Sequence, residues 1–150
     1  MIRRRELIVG AGALALLASC APAGPGSVTL VAQGAAGMNP GPDGVDRPLT
    51  LQVVQLRGAG AFDVADALSL QNPAAALGAD LIKADVIALA PGSKVEKTIA
   101  LDPGCAILGI IAGFRDPTGK VFRVKATVAP TDVLTFQVTV GAGGITLVPA

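Results

Sequence analysis

Residues 121–140 read VFRVKATVAPTDVLTFQVTV. Up to Val128 the chain alternates, with Phe122, Val124, Ala126 and Val128 on one side and Arg123, Lys125 and Thr127 on the other. After residues 129–132 the alternation resumes, Leu134, Phe136, Val138 and Val140 standing against Thr135, Gln137 and Thr139. A period of two belongs to a strand with one buried face, because successive side chains of an extended chain point to opposite sides. This stretch therefore predicts two strands of a sheet that packs on a core.

The same pattern runs outward in both directions. Residues 27–33 (SVTLVAQ) and 49–56 (LTLQVVQL) read as strands, and residues 85–90 and 95–101 flank the turn signal Pro91-Gly92-Ser93. In residues 95–101, Val95, Ile99 and Leu101 share a face, while Glu96 and Thr98 point away. Residues 106–114 (AILGIIAGF) are apolar on both faces, which predicts a central strand covered on both sides. Residues 145–148 close the chain, and Asp116-Pro117-Thr118-Gly119 and residues 141–144 are hairpin-type connections. Eight short strands indicate an all-β, two-sheet sandwich over residues 27–150. One interruption, residues 58–83, reads as a small helical insert between the second and third strands. There Phe62, Ala65 and Leu68 follow helical spacing, and Pro73 opens a second helical segment over 73–77 that Gly78 ends.

Composition narrows the chemistry. The 150 residues are 51% hydrophobic, 15% charged and 3% aromatic, with a net charge of +1 and no His, Trp or Tyr. Without His there is no Ser-His or Cys-His pair and no imidazole metal ligand. Ser69, Ser93, Lys83 and Lys94 lie in no recognisable nucleophile motif. Asp63, Asp66 and Asp80 lack the spacing of a calcium loop and read as a solvated helix face. A near-zero charge argues against nucleic acid. No enzyme, cofactor, metal site or small-molecule substrate is expected.

The first twenty residues, MIRRRELIVGAGALALLASC, read as an address. Arg3, Arg4 and Arg5 precede an apolar run, residues 7–18, that is too short to span a hydrocarbon core as a helix, for which about 20 residues are needed. It ends in Leu17-Ala18-Ser19-Cys20, which resembles a bacterial lipobox, with Cys20 acylated after removal of residues 1–19. That cleavage takes away three arginines and one glutamate and turns the charge from +1 to −1. Residues 20–26 form a lipidated Pro/Gly linker that reaches at most about 20 Å. With Cys20 lipidated, Cys105 has no disulfide partner and reads as a small buried apolar residue. Ala21 stands where Asp would retain a lipoprotein in the inner membrane, so the outer membrane, periplasmic face, is the expected destination.

The ordered series Asn39-Pro40, Arg47-Pro48-Leu49, Val53-Val54-Gln55-Leu56 and Ala61-Phe62…Ala65-Asp66 resembles the TssJ (VasD-type) lipoproteins of bacterial type VI secretion. The resemblance continues through Ala76-Leu77-Gly78-Ala79-Asp80-Leu81, Leu89…Pro91-Gly92, Leu101-Asp102-Pro103-Gly104 and Gly109…Ala112-Gly113-Phe114-Arg115-Asp116. Two departures are Ala67-Leu68 and Ile107, where the family has aromatic residues. The resemblance implies a transthyretin-like sandwich anchored in the outer membrane. It also implies that this sandwich binds the periplasmic C-terminal region of an inner-membrane subunit, TssM, within the secretion membrane complex. The alternative is a periplasm-facing lipoprotein that binds a ligand or glycan, for which the lack of Trp and Tyr gives poor stacking.

If successive strands alternate in direction, residues 35–48, 91–94, 115–120 and 141–144 gather at the end away from Cys20. Residues 102–105, residues 129–132 and the insert then fall at the anchored end. The long distal loop carries Met38, Asn39, Pro40, Asp43, Asp46 and Arg47 on a stiff Pro/Gly frame, which loses little entropy on binding. These residues, with Arg115 and Asp116, are the expected partner contacts. If the loop is instead merely solvated, an Asn39 turn and an Arg47–Asp46 surface pair of negligible worth are expected there. Labelled palmitate should enter the protein in cells and be lost in Cys20→Ser; incorporation that survives this change would remove the anchor from the account.

Overall fold

In the computed structural model, which describes residues 24–150, eight strands form two four-stranded sheets. They are β1 (Ser27–Gly34), β2 (Leu49–Leu56), β3 (Leu81–Leu89), β4 (Lys94–Ala100), β5 (Ile107–Ala112), β6 (Arg123–Thr127), β7 (Val133–Gly141) and β8 (Gly144–Pro149). One sheet has the order β4-β1-β7-β8 and the other β3-β2-β5-β6. Every consecutive strand reverses direction, and β1 and β7, both odd-numbered, consequently pair parallel, Ser27 beside Val133 and Gly34 beside Val140. The expected all-β sandwich is the observed one. The expected signal peptide and the expected anchor, Cys20, lie outside the described residues.

Between the sheets lies one core, to which β1 gives Val28, Leu30 and Ala32, β2 gives Leu51 and Val53, β5 gives Leu108 and Ile110, and β7 gives Phe136, Val138 and Val140. Cys105 is buried in this core, as its sequence context implied, and burial raises its thiol pKa above the usual value. The outer faces of the two sheets differ. On the first sheet Thr29 and Thr98 share a hydrogen bond at 2.9 Å, with Thr135, Gln137 and Thr139 alongside, a face that water can cover. On the second, Val54, Leu56 and Ile111 point outward and need another layer.

The insert supplies that layer. It comprises α1 (Gly60–Val64), a 3-10 turn at Ser69–Gln71, α2 (Pro73–Leu77) and a 3-10 turn at Gly78–Asp80. Phe62, Leu70 and Leu77 pack onto Val54, Leu56 and Ile111 as a second core. Polar groups fasten it as well. Gln52 Nε2 donates to the carbonyls of Leu70 (3.4 Å) and Gln71 (3.3 Å), and Arg57 Nη1 donates to that of Ala79 (2.8 Å). From β6, Arg123 donates to the carbonyls of Ala65 and Asp63 while Lys125 pairs with Asp63 at 2.7 Å. Arg123 and Lys125 do point away from the sandwich, but they meet the insert as well as water.

Four expectations are revised. The insert does not stay at the end where Gly26 lies: it begins and finishes there, yet folds back over the sheet until Gln71 lies against Gly113, just past the distal end of β5. It stops at Asp80 rather than residue 83, because β2 runs to Leu56 and pairs with β3 from Leu81 through a bulge at Gln55/Leu56. Leu68 does not continue the face of Phe62. Helix α1 ends after Val64, Asp66 Oδ1 accepts the Ser69 N–H at 2.7 Å to start a new turn, and Leu68 is left exposed. The three insert carboxylates are not a uniform solvated face either: Asp63 binds Lys125, Asp66 binds Ser69, and Asp80 Oδ2 accepts the Ala61 N–H at 3.5 Å.

One buried polar residue ties the sheets together. Gln55, 1% exposed, points into the sandwich, donates to the Ala100 carbonyl (2.9 Å) and accepts the Asp102 N–H (2.7 Å). Gly109 in β5 is a contact of another kind. A Cβ there would fall 2.8 Å from Phe62 Cε2 and 2.9 Å from Val54 Cγ2, so the bare backbone is what lets Phe62 seat itself. Gly109→Ala should overpack this contact and destabilise the fold by about 1–3 kcal/mol, read as a lower urea midpoint with an unchanged slope. An unaltered midpoint would mean that Phe62 is not seated this tightly.

Candidate functional site

At the end of the sandwich away from Gly26 four connections meet. The Ala35 N–H donates to the Val140 carbonyl (2.8 Å), the Gly92 N–H to that of Gly34 (2.9 Å) and the Ile145 N–H to that of Val121 (2.8 Å). Alternation of strand direction thus gathers residues 35–48, 91–94, 115–120 and 141–144 as expected, and only the insert departs from the scheme.

Residues 35–48 are a built structure. Met38 is fully buried and plugs this end of the core; a Cβ on Gly34 would sit 2.7 Å from its Sδ, so the glycine makes the room. The chain then turns back on itself as a small hairpin, with a bridge between Pro40 and Asp46 and the Arg47 N–H donating to the Asn39 carbonyl at 3.0 Å. Its tip is closed by the Gly41 N–H to the Val45 carbonyl (2.9 Å) and by Gly44, whose φ of +76° suits glycine.

Two side chains hold this hairpin. Asp46 accepts the N–H of Asn39 at 2.7 Å and that of Gly37 at 2.8 Å. Asn39 is 5% exposed; its Nδ2 donates to the Pro48 carbonyl (3.2 Å) and its Oδ1 accepts the N–H of Arg115 (2.9 Å), which joins this loop to the next one. Leaving such buried groups unpaired costs about 1–3 kcal/mol each.

The candidate contacts therefore divide. Met38 and Asn39 are withdrawn from the surface, and Asp46 is spent on backbone N–H groups, so these three position the loop and present little of themselves. Pro40, Asp43, Arg47, Arg115 and Asp116 are exposed. Arg47 pairs with Asp43 at 2.9 Å and not with Asp46, whose carboxylate is already occupied. Asp116 accepts the Thr118 N–H at 3.1 Å inside its own turn, and the Thr118 hydroxyl and N–H hold its pKa below the usual 3.8. Sequence reading missed Val45, 56% exposed at the hairpin tip. Its one signal is an aliphatic residue in the otherwise polar run Asp43-Gly44-Val45-Asp46-Arg47.

This scaffold has known counterparts. A model of the type VI secretion lipoproteins (VasD, EvfM, TssJ) matches residues 26–143. The chain belongs to that family. Its fold is similar to the lipoprotein TssJ1 from Pseudomonas aeruginosa, with 30% identity and a TM-score of 0.77 over 85% of this chain and 98% of that one. It is also similar to Lip from Serratia marcescens, a membrane-bound component of the type VI secretion system, with 24% identity and a TM-score of 0.77 over 85% and 99%. A chain in a structure named for the TssM C-terminal domain (869–1107) from EAEC matches with 23% identity and a TM-score of 0.65 over 83% and 98%. Among curated proteins none matches this sequence. The family is one of structural secretion lipoproteins and not of enzymes.

The hairpin should respond to acid. The bond from the Asn39 N–H, opposed by desolvation and joined by bonds from Gly37, Met38 and Arg47, holds the pKa of Asp46 below its usual 3.8. A depressed carboxylate stabilises the folded loop above the usual value, and this contribution is lost as pH falls through the folded one. The amide resonances of Gly37 and Asn39 should therefore shift together with a midpoint below pH 3.8, and Asp46→Asn should show the acid positions at neutral pH. Shifts centred above the usual carboxylate value would contradict the assignment.

Proposed function

We propose that the protein is an outer-membrane lipoprotein, acylated at Cys20, whose distal end docks the periplasmic C-terminal region of a TssM-like inner-membrane subunit and so helps build the type VI secretion membrane complex. The observation that carries this reading is the Asn39–Asp46–Arg115 arrangement. It makes a hairpin and an adjoining corner into one stiff surface at the end of the sandwich opposite the anchor. A rigid loop on a packed scaffold loses little entropy on binding.

Pro40, Asp43 and Arg47 on the hairpin and Arg115 and Asp116 on the corner would make the contacts, with Met38, Asn39 and Asp46 holding them in place. The structure named for TssM supports the partner. There, 83% of this 150-residue chain fills 98% of the matched one, which is therefore far shorter than the TssM segment 869–1107. A chain of this fold thus occurs in a structure named for that segment. Family membership supports the lipid anchor.

The test uses the full chain in detergent and the partner's periplasmic region. The Arg47–Asp43 pair is half exposed and contributes little to folding. Arg47→Glu should thus weaken binding about tenfold and leave the melting temperature within a degree or so of the parent. Equal affinity for Arg47→Glu and Asp43→Lys would remove the hairpin from the interface. Deleting residues 39–46 is a poorer probe, because it also takes away the acceptor for Arg115.

A further inference from the structure

Beside the distal hairpin, the returning insert leaves a groove of about 160 Å³ between itself and the loop after β5. Leu68 and Gln71 form one wall, Phe114, Arg115 and Pro117 the other. Leu68 is 83% exposed and Val64, four residues earlier on the same insert, 84%. Isolated exposed aliphatics are ordinary. These two are less so, because each rims a depression: Leu68 the groove itself, and Val64 a second one lined by Ala61, Ala65 and Ala76 together with Asp66 and Ser69.

Two cations border the groove. Arg115 lines it, and Lys120 Nζ lies 4.9 Å from the centroid of the Phe114 ring that forms its wall. The neighbouring carboxylate, Asp116, is turned into its own corner by the Thr118 N–H. The groove also shares Arg115 with the docking surface, since the Arg115 N–H is the group that Asn39 holds.

From this placement we propose that the groove receives a bulky apolar side chain, flanked by a carboxylate, from the same inner-membrane partner that the distal hairpin engages. The inference rests on that docking reading and extends it. The hairpin supplies a rigid polar grip, and the groove supplies apolar burial and a positive rim that select which stretch of the partner lies across the insert. Covering an exposed leucine removes most of its apolar surface from water, the kind of contact that dominates interface affinity.

The experiment measures binding of the partner's periplasmic region to the full chain in detergent, with Leu68 changed to Ala, Lys or Asp and with Arg47→Glu in parallel. Leu68 is outside both cores, so all three variants should melt with the parent. Leu68→Ala should lose about tenfold in affinity, Leu68→Lys a similar amount and Leu68→Asp clearly more, because a carboxylate there repels the one on the occupant. Val148→Asp, an exposed aliphatic on β8, should bind as the parent does. Unchanged affinity in all Leu68 variants while Arg47→Glu weakens binding would overturn the groove and leave the docking reading intact. Greater loss with Lys than with Asp would overturn the proposed acidic occupant. Failure of the parent chain to bind at all would overturn both.

Discussion

The outward faces of β2 and β5 cannot meet water. Val54, Leu56 and Ile111 lie on the side of the second sheet that faces away from the sandwich, and Phe62, Leu70 and Leu77 must come down on them. At about 25 cal/mol per Å² of apolar surface, exposing such a face would cost a small domain a large share of its stability. The chain between β2 and β3 is therefore a third layer and not a connection. Gly109 is bare to admit Phe62, and Gln52, Arg57, Arg123 and Lys125 tie the insert's backbone and one of its carboxylates to the sheet.

That layer also shapes the distal end. The insert leaves β2 at the end where Gly26 lies and reaches Gly113 at the other, so its edge stands beside the loop that carries Arg115. The distal hairpin is fixed from a different direction, by Met38 driven into the core and by Asn39 and Asp46 satisfying backbone groups. Both features reuse the same economy: short irregular segments have few hydrogen-bond partners of their own and become rigid when buried side chains supply them.

The strands were legible because alternation is a local property. Residues 133–140 show it almost without interruption, and the two-sided apolar run 106–114 announced a strand with layers above and below. The second short helix was legible too, with Pro73 opening it and Gly78, at a φ of +54°, ending it. The distal gathering of four loops followed from counting strand reversals. Of the candidate site, the place of the loop at the distal end was legible, but which of its residues are buried was not. Met38 and Asn39 look like surface residues in a polar, Gly-rich segment, and only contacts with Gly34, Pro48 and Arg115, the last 76 positions from Asn39, make them internal.

Sequence alone determined the class of fold and the position of an interruption between two strands, because periodicity and turn residues are readable along the chain. Tertiary structure decided where the insert lies, that Arg123 and Lys125 face it as well as solvent, that Leu68 is exposed while Phe62 is buried, and that Arg47 pairs with Asp43. Each of these depends on which groups distant in the chain compete for the same carbonyl, carboxylate or apolar surface, and a pattern with a period of two or of 3.6 residues carries no information about that competition.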